Sequence, residues 1–392
     1  MPTRFRHAVI GCGLMGAAAA RHLANMSEGV ALIGPSEPAD KAHHQGVFAS
    51  HYDEGRITRT IDPDPVWAQL ARNSISRYRD IEAATGIAFY REVGSLLTGA
   101  GTEEGRHYVE RTENAARVAD VAADRLSQVE MQSRFPWFSF PAGTEGIFEA
   151  SGAGHISPRR LVMAQAQLAE RAGATRIDAA VSSIREAGGH VVITLADGEV
   201  VEAERVLCAA GGFSIQDGLL PRPLDLKVYG RTVTFFEVSE ADAAAMSAMP
   251  SMIHKAVEAR GDIYMLPPIR YPDGKFYLKI GGDPDEMQLQ PEQLGEWFRS
   301  DGRPHAREHL VARMKALVPG LNVLSVSSAS CVTSYTSTGY PAIGWVVPGR
   351  IAVVTGGCGA AAKSSDEIGR LGAELVFEDR ISSFDFDFSP VE

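Results

Sequence analysis

The chain has 392 residues, 45% of them hydrophobic and 22% charged, with a formal net charge of −11. That length exceeds what one hydrophobic core organises, so two domains are expected. The acidic balance argues against a nucleic-acid partner, and no apolar run approaches a membrane span, which points to a soluble protein. The opening residues Met1 to Arg6 are polar and lead straight into a glycine motif, so no secretory leader is expected. Cys12, Cys208, Cys331 and Cys358 show neither CxxC spacing nor clustering with histidine. Isolated thiols in a reducing cytoplasm, with no metal site, are the expectation.

His7 to Ile10 is a short apolar run that stops at glycine, the pattern of a buried strand. Ala17 to Met26 is alanine-rich and predicts a helix, and Val30 to Ile33 predicts a second strand. Residues 7–34 therefore spell β-turn-α-β, the crossover unit of doubly wound sheets. Ser157 and Pro158 start a helix with a cap and an N1 proline, Leu161, Ala164, Leu168 and Ala172 give it an apolar face, and Gly173 ends it. Residues 175–208 predict a β-meander, with a turn at Asp197-Gly198 and an apolar run from Arg205 to Ala210. Ile351 to Thr355 predicts a last strand. A helix capped by Ser364 or Ser365 follows, with Ile368, Leu371 and Leu375 on one face. The stretches 61–150 and 215–325 hold most tryptophans, many prolines and predicted strands such as Arg231 to Val238 and Phe276 to Ile280.

Gly11-Cys12-Gly13-Leu14-Met15-Gly16 fits G-x-G-x-x-G between a strand and a helix. The first glycine permits the tight turn, the second lets a pyrophosphate approach the backbone, and the third allows close helix–strand packing. The helix N-terminus supplies amides and a positive dipole end. One element is absent. The second strand ends in Gly34 where an acidic residue should hold a ribose hydroxyl, with Ser36 or Glu37 as substitutes from the next loop. That argues against a simple NAD site.

With these segments in place, the chain resembles the D-amino-acid-oxidase-like FAD oxidoreductases, in particular the branch of the monomeric sarcosine and N-methyltryptophan oxidases. The likeness covers nearly the whole chain. Ser50 to Arg59 looks like the family segment with two arginines three apart. The resemblance implies that Arg56 lies against the flavin and Arg59 grips a substrate carboxylate, a task suited to a guanidinium fork. Tyr277-Leu278-Lys279-Ile280-Gly281 is similar to a strand whose lysine, here Lys279, promotes the reaction of reduced flavin with oxygen. Ser330 to Thr336 resembles a region whose cysteine carries the flavin, making Cys331 a candidate covalent anchor, although the tyrosine falls one place late. Gly357 to Ser365 is similar to a segment whose lysine, here Lys363, is the second carboxylate partner and whose helix N-terminus faces the flavin pyrimidine. Tyr264, within Ile263 to Pro268, is a candidate substrate contact.

The fold class implied is α/β, α+β overall: a Rossmann-like FAD domain from 1–60, 151–214 and 326–392, interleaved with a mainly antiparallel substrate domain from 61–150 and 215–325. The implied cofactor contacts are Gly11, Gly13, Leu14, Met15 and Gly16, then Ser50, Arg56, Val181 and Gly211, and finally Cys331, Gly359 and Lys363. The implied reaction is FAD-dependent oxidation of the C–N bond of a secondary or N-methylated amino acid by a cytoplasmic monomer. The imine hydrolyses and O2 becomes hydrogen peroxide. A dehydrogenase or demethylase with another electron acceptor, and a non-catalytic flavin-binding subunit, remain open. Two departures bear on the substrate: Asp283 follows Gly281-Gly282 where the sarcosine oxidases carry histidine, and Ala360-Ala361-Ala362 replaces a histidine, a glycine and an aromatic.

Overall fold

The computed structural model describes residues 3–258 and 260–390. The strand Thr3–Ile10, the helix Leu14–Met26 and the strand Val30–Ile33 form the expected unit. The two strands run parallel, from His7 opposite Val30 to Ile10 opposite Ile33. The helix starts at Leu14 rather than Ala17, because the extended backbone of Gly13 serves as its N-cap without any side-chain hydrogen bond. Ala17, Ala18, Ala19 and Ala20 are wholly buried on it. Their small side chains let the helix lie close to its neighbours, where a larger residue would overpack the contact.

This unit is the centre of an eight-stranded sheet. Val200–Cys208 lies parallel to Thr3–Ile10 on one side, and Thr175–Ile177 lies parallel to Val30–Ile33 on the other. The meander is confined to Val181–Ala187, His190–Leu195 and Val200–Cys208, all antiparallel. Thr175–Ile177, expected to begin it, instead closes the far edge of the parallel strands. Ile351–Thr355 extends the sheet parallel to Val206–Cys208 and leads back over it into the helix Ala361–Glu378. The Pro158–Arg171 helix is capped as expected: Ser157 Oγ accepts from Arg160 N at 3.2 Å.

A second, nine-stranded sheet is mostly antiparallel. Its long strand Lys227–Val238 pairs with Phe276–Gly281, Met287–Leu289 and Ser325–Tyr335. Ser325–Tyr335 therefore joins this second sheet, although residues 326 onward were expected with the first. Its core is aromatic and sulfur-rich, including Phe138, Phe236, Met252 and Leu278. A small three-stranded sheet of Arg56–Thr58, Tyr90–Arg91 and Gly154–Ile156 carries the arginine segment. Among the described residues no helix is long and apolar enough to cross a membrane, and no group of three His, Cys, Asp or Glu could hold a metal ion.

Candidate functional site

A cavity of about 1000 Å³ runs from the glycine turn, along the mouth of the first sheet, to the face of Lys227–Val238 and Ser325–Tyr335. Ligand pockets span roughly 300–1,000 Å³. This one stands at the upper end, with room for a dinucleotide and a small second molecule.

The turn is built as the sequence reading requires. Gly11 has φ +108, and a Cβ there would stand 2.4 Å from the Ala209 carbonyl oxygen. Gly16 is buried in the helix, where a Cβ would come within 1.9 Å of the Gly11 carbonyl oxygen. Gly13, Leu14 and Met15 line the cavity itself. So do Ser50, Val181, Gly211 and Gly359. His51 lies opposite Gly13, its Nδ1 buried and without a partner among the described residues. Burial, then Arg159 and Arg56, pull His51 down to about 3, so it is a neutral imidazole. An orphaned polar atom facing an uncapped helix start is what a phosphate-bearing cofactor would complete.

The missing ribose carboxylate has a steric reason. At Gly34 a Cβ would lie 2.6 Å from the Cys12 amide nitrogen and 3.0 Å from its sulfur. Neither substitute reaches the cavity. Ser36 Oγ donates to Asp178 at 2.6 Å, and Glu37 takes Arg159 Nε and Nη2 at 2.7 and 2.8 Å.

The two arginines sit at the centre of two matching groups, each of two cations and one carboxylate. In the first, Asp53 Oδ2 accepts from both Arg56 Nη1 and Lys279 Nζ. Asp53 Oδ1 accepts from Tyr271 at 2.8 Å, and Lys279 Nζ also donates to the Gly55 carbonyl at 2.8 Å. Arg56 is held further by the carbonyls of Gly55 and Ser50, both at 2.9 Å. Arg56 lines the cavity, but Lys279 does not: it is fully buried one layer behind, its Nζ 5.8 Å from the ring centre of Tyr264. Burial and the Arg56 guanidinium press Lys279 toward its neutral form, and the Asp53 carboxylate opposes them.

In the second group, Arg59 Nη2 donates to Asp62 Oδ2 at 2.7 Å, and Lys363 Nζ lies 3.3 Å from the same oxygen. Arg59 and Lys363 both line the cavity. Among the described residues, Arg59 Nε is buried without a partner. Burial and then Arg59 bring Lys363 down to about 8. Burial opposes ionisation of Asp62, but Arg59 and Lys363 outweigh it and hold the carboxyl below its ordinary range.

The helix after Lys363 was expected to take Ser364 or Ser365 as its cap. It begins earlier, at Ala361, with Ala360 as N-cap and no side-chain cap. Both serines are buried inside the helix, and Ala360 to Lys363 line the cavity, with the amides of Ala360 and Ala361 already donating to the Gly357 carbonyl at 2.9 and 3.0 Å. Cys331 lines the opposite wall, its thiol free and half-buried. Burial raises the thiols of Cys12 and Cys208 to about 12 and about 11. Tyr264 also lines the cavity, and burial raises its hydroxyl well above the ordinary value.

Sequence reasoning missed Asp53, Asp62, His51 and the inward side chain of Arg231. The signal for the two aspartates was present: each stands three residues from an arginine that it pairs with.

Residues 6–375 match the family model described as DAO, FAD dependent oxidoreductase. The chain is similar to a monomeric sarcosine oxidase of Bacillus sp. (strain NS-129), 25% identical over 96% of this chain and 94% of that one. Its fold is similar to that of NikD, an unusual amino acid oxidase essential for nikkomycin biosynthesis, with a TM-score of 0.76 at 19% identity over 99% and 98% of the two chains. It is also similar to the glycine oxidase of Geobacillus kaustophilus, with a TM-score of 0.72 at 20% identity over 99% of each chain.

Proposed function

This chain belongs to the family of FAD dependent oxidoreductases, and from that premise we propose that it oxidises the C–N bond of a secondary or N-methylated amino acid, with O2 as acceptor. Bound FAD supplies the redox chemistry, taking a hydride equivalent from the carbon beside the nitrogen; the imine left behind is hydrolysed and hydrogen peroxide is the second product. The glycine turn Gly11 to Gly16, with Ser50, Val181 and Gly211, would hold the cofactor, and Arg56 would support its ring system. Cys331 would be its covalent anchor.

The observation that carries this reading is the convergence of Arg59 and Lys363 on one carboxylate oxygen of Asp62. Two cations at the cavity wall that hold an internal carboxylate can hold that of a substrate, with Arg59 Nε, unpartnered among the described residues, as a donor still available. The same positive charge opposes protonation of the amine nitrogen and favours the neutral form that can give up a hydride. Tyr264 borders the same space, and Lys279 would serve the oxygen step from one layer behind the wall, where it is bonded to Asp53.

One observation favours a second reading, an amine dehydrogenase using another electron acceptor. Asp53 lies between Lys279 and Arg56, and lowers the net charge that oxygen would meet. Oxygen consumption and peroxide release with a panel of N-methyl amino acids decide the matter. Stoichiometric peroxide supports the oxidase. Flavin reduction without oxygen uptake supports the dehydrogenase, and no flavin reduction by any N-methyl amino acid removes both.

A further inference from the structure

Building on that reading, we infer that the cavity holds a second anion subsite at Arg231, and that the amine it takes carries a second carboxylate. Arg231 lies on Lys227–Val238 directly opposite Cys331. Residues paired across a ladder share a face, so its side chain stands beside those of Cys331 and Thr333. It lines the same cavity as Arg59 and Lys363.

The guanidinium is held in position. Its Nε donates to Thr333 Oγ1 at 3.0 Å, and its carbon lies 5.3 Å from the Tyr229 ring centre and 6.0 Å from that of Tyr335. Aromatic faces and one hydroxyl fix a guanidinium without cancelling its charge. Its carboxylate contact is Glu286 at 3.3 Å, a side chain 66% exposed. A pair with so exposed a partner is screened by water and leaves the guanidinium able to bind elsewhere. Asp283, which lines the cavity as do Asp217 and Glu292, is already committed: its two oxygens accept from Arg303 at 2.8 Å and from the Thr232 amide at 2.9 Å. The small side chains of Thr333 and Ala360 to Ala362 line the same cavity as the two cationic positions.

One carboxylate satisfies one position. A dicarboxylic N-substituted amino acid satisfies Arg59 with Lys363 at one end and the planar fork of Arg231 at the other.

The test compares N-methyl-L-glutamate with its uncharged isostere N-methyl-L-glutamine on the holoenzyme, and measures flavin-absorbance titrations with succinate, glutarate and adipate against butyrate. The expected results are at least tenfold higher kcat/KM for the glutamate and at least tenfold tighter binding of the best dicarboxylate. Both ratios collapse toward one in Arg231→Met and are partly kept in Arg231→Lys. Ratios near one in the wild type, or ratios unchanged by Arg231→Met, overturn the subsite. If neither amino acid reduces the flavin, the reaction reading fails, and the dicarboxylate titration alone decides for or against the subsite.

Discussion

Asp62 Oδ2 accepts a hydrogen bond from Arg59 Nη2 at 2.7 Å, so a buried carboxylate of the chain itself competes for a cation of the site proposed for the substrate. Asp62→Asn removes that competing charge while keeping a side chain of the same size. The expected outcome is tighter binding of methoxyacetate, a carboxylate without an amine, by about 0.5–1.5 kcal/mol, roughly two- to tenfold in Kd. Titration of the flavin absorbance measures it. Weaker binding in the variant would mean that Asp62 orients the cations rather than competing for them.

Lys363 gives the same binding a pH dependence. Its ammonium is brought down to about 8, so it is charged below that pH and neutral above it, while methoxyacetate stays ionised throughout. Affinity is therefore full below about pH 7 and falls as pH rises through about 8. Lys363→Met should bind more weakly at low pH and lose the step near 8. A step that persists in Lys363→Met assigns the titration to another group.

Gly34 excludes the ribose carboxylate by packing. Gly34→Asp forces a Cβ to within 2.6 Å of the Cys12 amide nitrogen, inside the glycine turn Gly11 to Gly16. The expected cost is about 1–3 kcal/mol of stability, with weaker FAD uptake by the apoprotein. Urea unfolding and fluorescence-quench titration with FAD measure the two effects. Tighter FAD binding by the variant would show that the turn adapts and that the packing explanation is wrong.

Cys331 faces the cavity with a free thiol, while Cys12 and Cys208 are held in the thiol form by burial. If Cys331 is the anchor, acid precipitation of the wild-type protein leaves flavin in the pellet, and Cys331→Ser releases it to the supernatant. Flavin in the wild-type supernatant would show that attachment does not occur.

Much of this arrangement is legible in the sequence because it depends on local rules. The β-turn-α-β unit follows from the spacing of Gly11, Gly13 and Gly16 between apolar runs, and the Pro158–Arg171 helix follows from Ser157 and Pro158. Helix starts were less legible. Gly13 and Ala360 cap by backbone alone, and the buried Ser364 and Ser365 resemble caps only in sequence. Thr175–Ile177 is too short for its pattern to show whether it pairs in a meander or beside Val30–Ile33. The departure of Lys279 from the cavity wall depends on Asp53, which lies 226 positions away in the chain. No local pattern reports such a contact.

The most direct test of the proposed reaction is anaerobic mixing of the yellow holoprotein with N-methyl amino acids and with the same amines lacking the carboxylate. If Arg59 and Lys363 select the substrate, the N-methyl amino acids bleach the flavin and the decarboxylated amines fail to do so at the same concentration. Equal bleaching by both series, or bleaching by neither, contradicts the assignment.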